Sequence, residues 1–332
     1  MKILITGAKG MLAQAVRERF AKDPQGKDNE LILTDVVADE KIGSLSLDIT
    51  DSSAVAEFIQ DVKPELIINC AAYTNVDGAE QQKELAEKVN YVGPSNLALA
   101  AKKTRAVLVH VSTDYVFGGE APKNHIYSED DPKNPRSVYG ITKLRGEEAI
   151  ETGCEKYYIF RTAWLYGKGG KNFVKTMVEV GIKQCQKMEK GEGYRAEVAV
   201  VDDQFGSPTY TEDLTDIIYQ AVYKNIPYGV YNATNEGFTC WADFTRKIYE
   251  ICKIDCKVKG ISSKEYEKDA VKKAEERGEK RIVAPRPKNS MMSKQKLEDA
   301  KVFVRDWEEA LHDYLKEEQF DLQNLIRKAV ND

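Results

Sequence analysis

The 332-residue chain is expected to fold as an α/β protein, with a doubly wound parallel sheet and a smaller α/β second domain. Three observations carry that expectation. The chain opens on a short apolar run followed at once by a glycine turn and a helical pattern. Further apolar runs of strand length then alternate with helical stretches. Finally, a Tyr-x-x-x-Lys pair, Tyr139 and Lys143, lies downstream of a strand that ends in Ser112 and Thr113.

Taken in order, Lys2-Ile3-Leu4-Ile5-Thr6 is the continuous apolar run of a strand buried on both faces. Gly7-Ala8-Lys9-Gly10-Met11-Leu12-Ala13 follows with the spacing GxxGxxA. Leu12, Val16 and Phe20 then recur at helical spacing, with Arg17, Glu18 and Arg19 on the other side. Strand, glycine turn and helix form the start of a Rossmann-type dinucleotide-binding unit. The glycines let backbone approach a pyrophosphate, and the helix N-terminus offers unpaired N–H groups.

A second strand, Leu31–Thr34, ends in Asp35, where a carboxylate can accept both hydroxyls of an adenosine ribose; the plainer role is an ordinary turn acid. The ribose role favours NADH. Lys9 inside the loop could meet a 2′-phosphate, so NADPH stays open as cofactor. Asp48 and Ile49 are expected beside the adenine. Two further apolar runs, Leu66–Cys70 and Ala106–Val111, are read as strands, and residues 79 to 103 between them as one helix rich in Ala, Leu, Glu and Lys. Ala71, Ala72 and Tyr73 follow the carboxyl end of a strand, the rim at which open sheets bind ligands.

The same rim receives Ser112, Thr113 and Asp114, which close the strand containing His110. Thr113 could hydrogen-bond a substrate carbonyl. Tyr139 and Lys143 are one helical turn apart and share a face. An ammonium beside a phenol favours phenolate and lowers its pKa, which suits a general acid or base. A bare YxxxK also occurs on surface helices with a half-exposed tyrosine. Trp164 reads equally as core or as a stacking surface.

The chain resembles the extended short-chain dehydrogenase/reductases, and among them the dTDP-4-dehydrorhamnose reductases. The resemblance runs through Ala71–Glu80, Val111–Phe117, Tyr139–Glu147, Phe160–Gly167, Asn172–Met177, Asp203–Thr209 and Arg286–Ser290. It implies an NADPH- or NADH-dependent reduction of the C4 keto group of a dTDP-4-dehydro-6-deoxy sugar. It places Gly7, Gly10, Met11 and Leu12 at the pyrophosphate, Asp35 at the adenosine ribose, and Ala71, Ala72 and Tyr73 at the middle of the cofactor. Thr113, Tyr139 and Lys143 match catalytic positions, with Lys143 also holding the nicotinamide ribose. Asp114 and Trp164 match positions that meet the sugar nucleotide. Arg286 could pair with the diphosphate or with a nearby acid.

Related 4,6-dehydratases carry an acidic pair after the threonine, whereas here Thr113-Asp114 is followed by Tyr115, which favours simple reduction. An epimerase stays open as an alternative. So does a non-catalytic nucleotide-binding subunit resembling the regulatory subunit of methionine adenosyltransferase. Some relatives bridge two subunits with magnesium held by glutamates, one of them on the first helix. Here that helix begins Ala13-Gln14-Ala15, so no metal is expected, and a homodimer would have to form without one.

The remaining composition narrows the class. A net charge of −5 from 49 basic and 54 acidic residues leaves no basic footprint for nucleic acid. Six cysteines without a CxxC pair, and three scattered histidines, suggest reduced thiols in a cytoplasmic protein. No run of apolar residues is long enough for a membrane span. The expected division gives residues 1–165 plus about 211–233 to the cofactor domain, where Gly229–Asn232 reads as a late strand. Residues 166–210 plus 234–305 form the substrate-binding domain, and 306–332 a C-terminal helical tail. Within the second part, Thr239 reads as a helix N-cap, Ser262 to Arg281 as a solvated helix or loop, and 188–195 as charged surface.

Overall fold

The computed structural model describes residues 1–189, 195–278 and 282–317. Its centre is a sheet of seven parallel strands. In chain order these are β1 (Lys2–Thr6), β2 (Glu30–Asp35), β3 (Leu45–Ser46), β4 (Leu66–Asn69), β5 (Val107–Thr113) and β6 (Tyr157–Thr162), joined by a later strand, Gly229–Asn232. Between β6 and that strand lie the short β7 (Leu165–Tyr166), β8 (Glu197–Val201), β9 (Phe205–Gly206) and β10 (Thr209–Tyr210), which makes Gly229–Asn232 β11. The spatial order β11-β6-β5-β4-β1-β2-β3 is doubly wound, with its switch point between β1 and β4.

Alternation along β1 shows how the layers form. Ile3 and Ile5 face the helices α1 (Met11–Phe20) and, later in the chain, Thr211–Lys224, where Leu12, Val16, Phe20, Leu214 and Ile218 complete one core. Leu4 faces the opposite layer with Ile67, Leu108 and Ile159. That layer is closed by α2 (Ser52–Val62), α3 (Val76–Gln81), α4 (Lys83–Glu87), α5 (Gly93–Thr104) and α6 (Val138–Gly153), of which α2, α5 and α6 contribute to its buried cluster. Each fully buried side chain such as Phe20 contributes about 2 kcal/mol. Helix α2 begins where Asp51 accepts from the N–H groups of Ser53 and Ala54, and stops at Lys63 in the left-handed region.

A second core lies outside the sheet. The remaining elements in chain order are α7 (Phe173–Glu189), α8 (Thr211–Lys224), β12 (Thr239–Cys240), α9 (Trp241–Cys252), β13 (Lys257–Ile261), α10 (Ser263–Glu275), α11 (Gln295–Asp299) and α12 (Trp307–Glu317). Val174 and Val178 of α7, Phe244 and Ile248 of α9, and Trp307, Leu311 and Tyr314 of α12 meet there, while α8 serves the first core and α10 and α11 lie outside the second. Strands β8 and β13 pair in parallel at its edge.

Three local readings change, and a fourth, left as helix or loop, is settled as helix. The single helix read over 79–103 is three: α3 and α4 separate at Gln82, whose φ of −114° and ψ of 52° leave the helical region, and a π turn over Lys88–Val92 precedes α5. Helix α9 is capped one residue later than Thr239, by Cys240, whose sulfur accepts from Asp243 N–H. The charged stretch after Ser262 is helical over Ser263–Glu275, opened by a capping box between Ser262 and Glu265, and its residues 279–281 lie outside the described residues. The tail beyond 306 begins by filling the second core through α12. Residues 190–194 of the charged segment, and the tail beyond 317, lie outside the described residues. Among the described residues no helix is long and apolar enough to cross a membrane.

Candidate active site

At the carboxyl ends of the parallel strands the chain leaves two adjoining cavities of about 630 and 640 Å³, which share Gly10, Cys70 and Ala72 as lining residues. The first is floored by the glycine turn. Gly7 sits at φ +67°, and a Cβ there would stand 2.6 Å from the backbone nitrogen of Ala71, so β1 and β4 approach closely only because the residue is glycine. Gly10 provides no side-chain cap to α1, and the N–H groups of Met11, Leu12 and Ala13 in its first turn have no intrahelical acceptor. That is the cradle a pyrophosphate requires.

Asp35 lies at the end of β2 on the same cavity. Its carboxylate accepts from Lys9 N–H at 3.1 Å and stands 3.7 Å from Lys9 Nζ, so the two residues expected to compete over the ribose are ion-paired. Asp48 also lines the cavity with Ile49, while its carboxylate closes a turn by accepting from Thr50 N–H at 2.8 Å. Ala71, Ala72 and Tyr73 form the opposite wall. Buried Asn90 holds that wall, accepting from Tyr73 N–H at 2.8 Å and donating to Tyr73 O at 3.1 Å.

The second cavity contains Thr113, Asp114, Tyr139, Lys143 and Trp164 together. Thr113 is the last residue of β5. Tyr139 and Lys143 occupy the first turns of α6, whose N-cap Ser137 accepts from Gly140 N–H at 3.1 Å. Gly140 lets the helix approach the turn after β5, because a Cβ there would meet Tyr115 O at 2.6 Å. Thr113 Oγ1 donates to Asp114 Oδ1 at 2.9 Å, and Ser290 hydrogen-bonds Asp114 from the far side.

The charge states correct one expectation. Lys143 does not act on Tyr139 here: its Nζ is 2.6 Å from Val111 O and 3.0 Å from His110 Nε2. Burial pushes the Tyr139 phenol up to about 12, opposed by the Thr113 hydrogen bond and reinforced by Asp114. Tyr139 therefore keeps its phenolic proton at neutral pH. Burial brings Lys143 down to about 8, against the attraction of Glu147. Asp114 rises to about 6, again by burial, despite hydrogen bonds from Ser290 and Thr113. Cys70 is pushed up to about 12 by burial, so its thiol is not a nucleophile.

One expected contact lies elsewhere, and one that lies in the cavity has an aromatic partner. Arg286 does not line the cavity; its Nη1 donates to Asp77 Oδ1 at 2.8 Å, the nearby acid that was the alternative to a diphosphate. Trp164 is half-buried at a non-glycine φ of +50° and lies flat on Trp241, with ring centroids 3.7 Å apart and planes 15° apart. Both indoles line the cavity. Trp241 was legible only as part of a helix start, since nothing in its spacing tied it to Trp164. Lys171 also lines the cavity and was not singled out, although it lies in the glycine- and lysine-rich loop before α7. Behind the wall, Glu147 accepts from Ser112 Oγ at 2.5 Å and pairs with buried Arg161 at 2.7 Å, which ties β5, β6 and α6 together. Among the described residues no three His, Cys, Asp or Glu side chains gather as a metal would need.

Comparison with known proteins agrees with this geometry. Residues 1–320 match the family model described as RmlD substrate binding domain. A dTDP-4-dehydrorhamnose reductase of Mycolicibacterium smegmatis is 36% identical over 315 residues, covering 94% of this chain and 84% of the relative. The crystal structure of a dTDP-4-dehydrorhamnose reductase from Clostridium acetobutylicum superimposes with a TM-score of 0.80 at 40% identity, covering 96% of this chain and all of that one. A dTDP-4-dehydrorhamnose reductase from Bacillus anthracis, in complex with NADP, gives a TM-score of 0.78 at 35% identity, covering 96% of this chain and 100% of that one.

Proposed function

Because the chain belongs to the family described as RmlD substrate binding domain, we propose that it reduces the C4 keto group of dTDP-4-dehydro-6-deoxy-L-mannose to dTDP-L-rhamnose, with NADPH or NADH as reductant. The single observation that carries the proposal is the convergence of Thr113, Tyr139 and Lys143 on one cavity that opens directly onto the dinucleotide cradle.

The glycine turn fits the cofactor, since a Cβ at Gly7 would fill the space the backbone needs. Gly7, Gly10, Met11 and Leu12 would hold the pyrophosphate, Asp35 the adenosine ribose, and Asp48 and Ile49 the adenine end. Ala71, Ala72 and Tyr73 would bound the centre. When bound, the reduced nicotinamide supplies hydride to C4 of the sugar. Tyr139 then gives its proton to the carbonyl oxygen as negative charge develops there, and Thr113 orients that oxygen. Lys143 would hold the nicotinamide ribose. Trp164 and Trp241 supply an aromatic surface and Lys171 a cation for the nucleotide, with Asp114 beside the sugar.

A non-catalytic nucleotide-binding subunit is not favoured, because the relatives that match along the chain are reductases. The cytoplasm and a homodimer are the proposed setting, supported for the former by six cysteines that form no disulfide. The test is oxidation of NADPH and, separately, NADH by the purified chain with the dTDP-4-keto sugar generated in situ. Cofactor oxidation with dTDP-L-rhamnose as product is the expected result; cofactor binding without oxidation would overturn the proposal.

A further inference from the structure

A line of buried polar contacts runs beneath the cavity and is not used by the reduction as described. It links Thr6, Asn69, His110 and Lys143 across β1, β4, β5 and α6. Its hydrogen atoms can be assigned by elimination. The backbone N–H of Ala71 only donates, and it lies 3.1 Å from Asn69 Oδ1; Thr6 Oγ1 donates to the same oxygen at 2.7 Å. The amide orientation is thereby fixed, and its NH2 group faces His110 Nδ1 at 2.9 Å. An amide NH2 has no lone pair to offer, so Nδ1 must be the acceptor.

Burial holds the ring neutral, with its pKa well below the usual histidine range. A neutral ring with a bare Nδ1 carries its proton on Nε2. That nitrogen stands 3.0 Å from Lys143 Nζ. A donor facing an amine is satisfied only when the amine has a free lone pair, and Nζ has its own acceptor in Val111 O at 2.6 Å.

We infer that His110 is a positioning residue: its tautomer, locked by Asn69 and the Ala71 N–H, presents a proton donor to Lys143 and so disfavours the ammonium form of that side chain in the cofactor-free cleft. The remaining titratable groups around Lys143 do not replace this control. Glu147 on the same helix is engaged by Arg161 of β6 and by Ser112 of β5. Tyr139, Asp114 and Cys70 line the same cavity, and burial favours the uncharged form of each. The consequence for catalysis rests on the reductase reading: acceptor oxygens of the cofactor would favour the charged form of Lys143, so cofactor binding takes up a proton.

The test uses the whole chain labelled with ¹⁵N in its histidines. There are three, His110, His125 and His312, and the latter two are assigned by His125→Gln and His312→Gln. Long-range ¹H–¹⁵N correlation at neutral pH should show His110 protonated on Nε2 and bare on Nδ1. A proton on Nδ1 would overturn the inference without touching the reductase reading, just as absent turnover with the expected tautomer would do the reverse. A second variant, Asn69→Asp, places an acceptor at Nδ1 and should invert the tautomer. Lys143 then faces a lone pair, and the basic limb of the kcat/KM profile should move up by about one pH unit or more. An inverted tautomer with an unmoved limb would remove His110 from the control of Lys143.

Discussion

Replacing Tyr139 by Phe separates the proton-transfer role of the residue from its packing. The ring is half-buried and meets Tyr115 edge to face, with centroids 5.3 Å apart and planes at 83°. Phe keeps that contact. What is lost is the phenol hydroxyl and its hydrogen bond with Thr113, whose Oγ1 keeps Asp114 Oδ1 at 2.9 Å. Folding stability should therefore change by no more than about 1 kcal/mol. Turnover should fall far more, by roughly 10² to 10⁴-fold, because the phenol hydrogen-bonded to Thr113 is the proposed donor to the alkoxide. That corresponds to about 3–5 kcal/mol on the barrier. Cofactor affinity, followed by nicotinamide fluorescence, should be nearly unchanged, since the cradle around Gly7 and Gly10 is not altered. Turnover within about threefold of the parent would refute the role given to Tyr139. So would an equal loss of cofactor affinity, which would mean that the variant had damaged the cleft.

Three further outcomes follow from particular contacts. The rise of Asp114 from 3.8 to about 6 means that the folded chain keeps a proton which the unfolded chain releases between those values, so stability falls as pH rises through that window, by about 3 kcal/mol. Asp114→Asn should remove this dependence, measured as urea unfolding of parent and variant at pH 4 and pH 7; parallel pH dependence in the two would contradict it. Trp241→Ala removes the ring on which Trp164 lies and should raise KM for the sugar nucleotide by about three- to tenfold with kcat little changed. A fall in kcat at constant KM would place the pair elsewhere in the reaction. Asp35→Asn frees Lys9 and withdraws a negative charge from the ribose end, so the ratio of kcat/KM for NADPH to that for NADH should rise by about tenfold. An unchanged ratio would detach the Lys9–Asp35 pair from cofactor choice.

Much of the sheet was legible because parallel strands buried on both faces read as short apolar runs, and Lys2–Thr6, Leu66–Asn69 and Val107–Thr113 all do. Gly7 and Gly10 were legible for a related reason: a tight turn between strand and helix leaves few residue types acceptable. The helical stretch after residue 79 misled, because composition favours a helix throughout while tertiary packing around buried Asn90 imposes a π turn. The cap of α9 was misplaced by one residue because Cys240 supplies a weak sulfur acceptor that capping preferences do not emphasise. Tyr139 and Lys143 were found by their spacing, yet spacing says nothing of what a side chain meets across the sheet, and Lys143 turns to His110 and Val111. Trp241 and Trp164 are brought together only by the fold. The last described helix could not be placed from its sequence either, because an amphipathic face shows that it packs without showing on what.

The central claim is transfer of hydride to C4 of the sugar, and isotope transfer tests it most directly. The chain would be supplied with NADPH or NADH carrying deuterium at the transferable position of the nicotinamide, together with dTDP-4-dehydro-6-deoxy-L-mannose. One deuterium at C4 of dTDP-L-rhamnose for each cofactor oxidised is the predicted result. An isomerised sugar with no net cofactor oxidation and no retained label, or a bound cofactor that transfers nothing, would contradict the account.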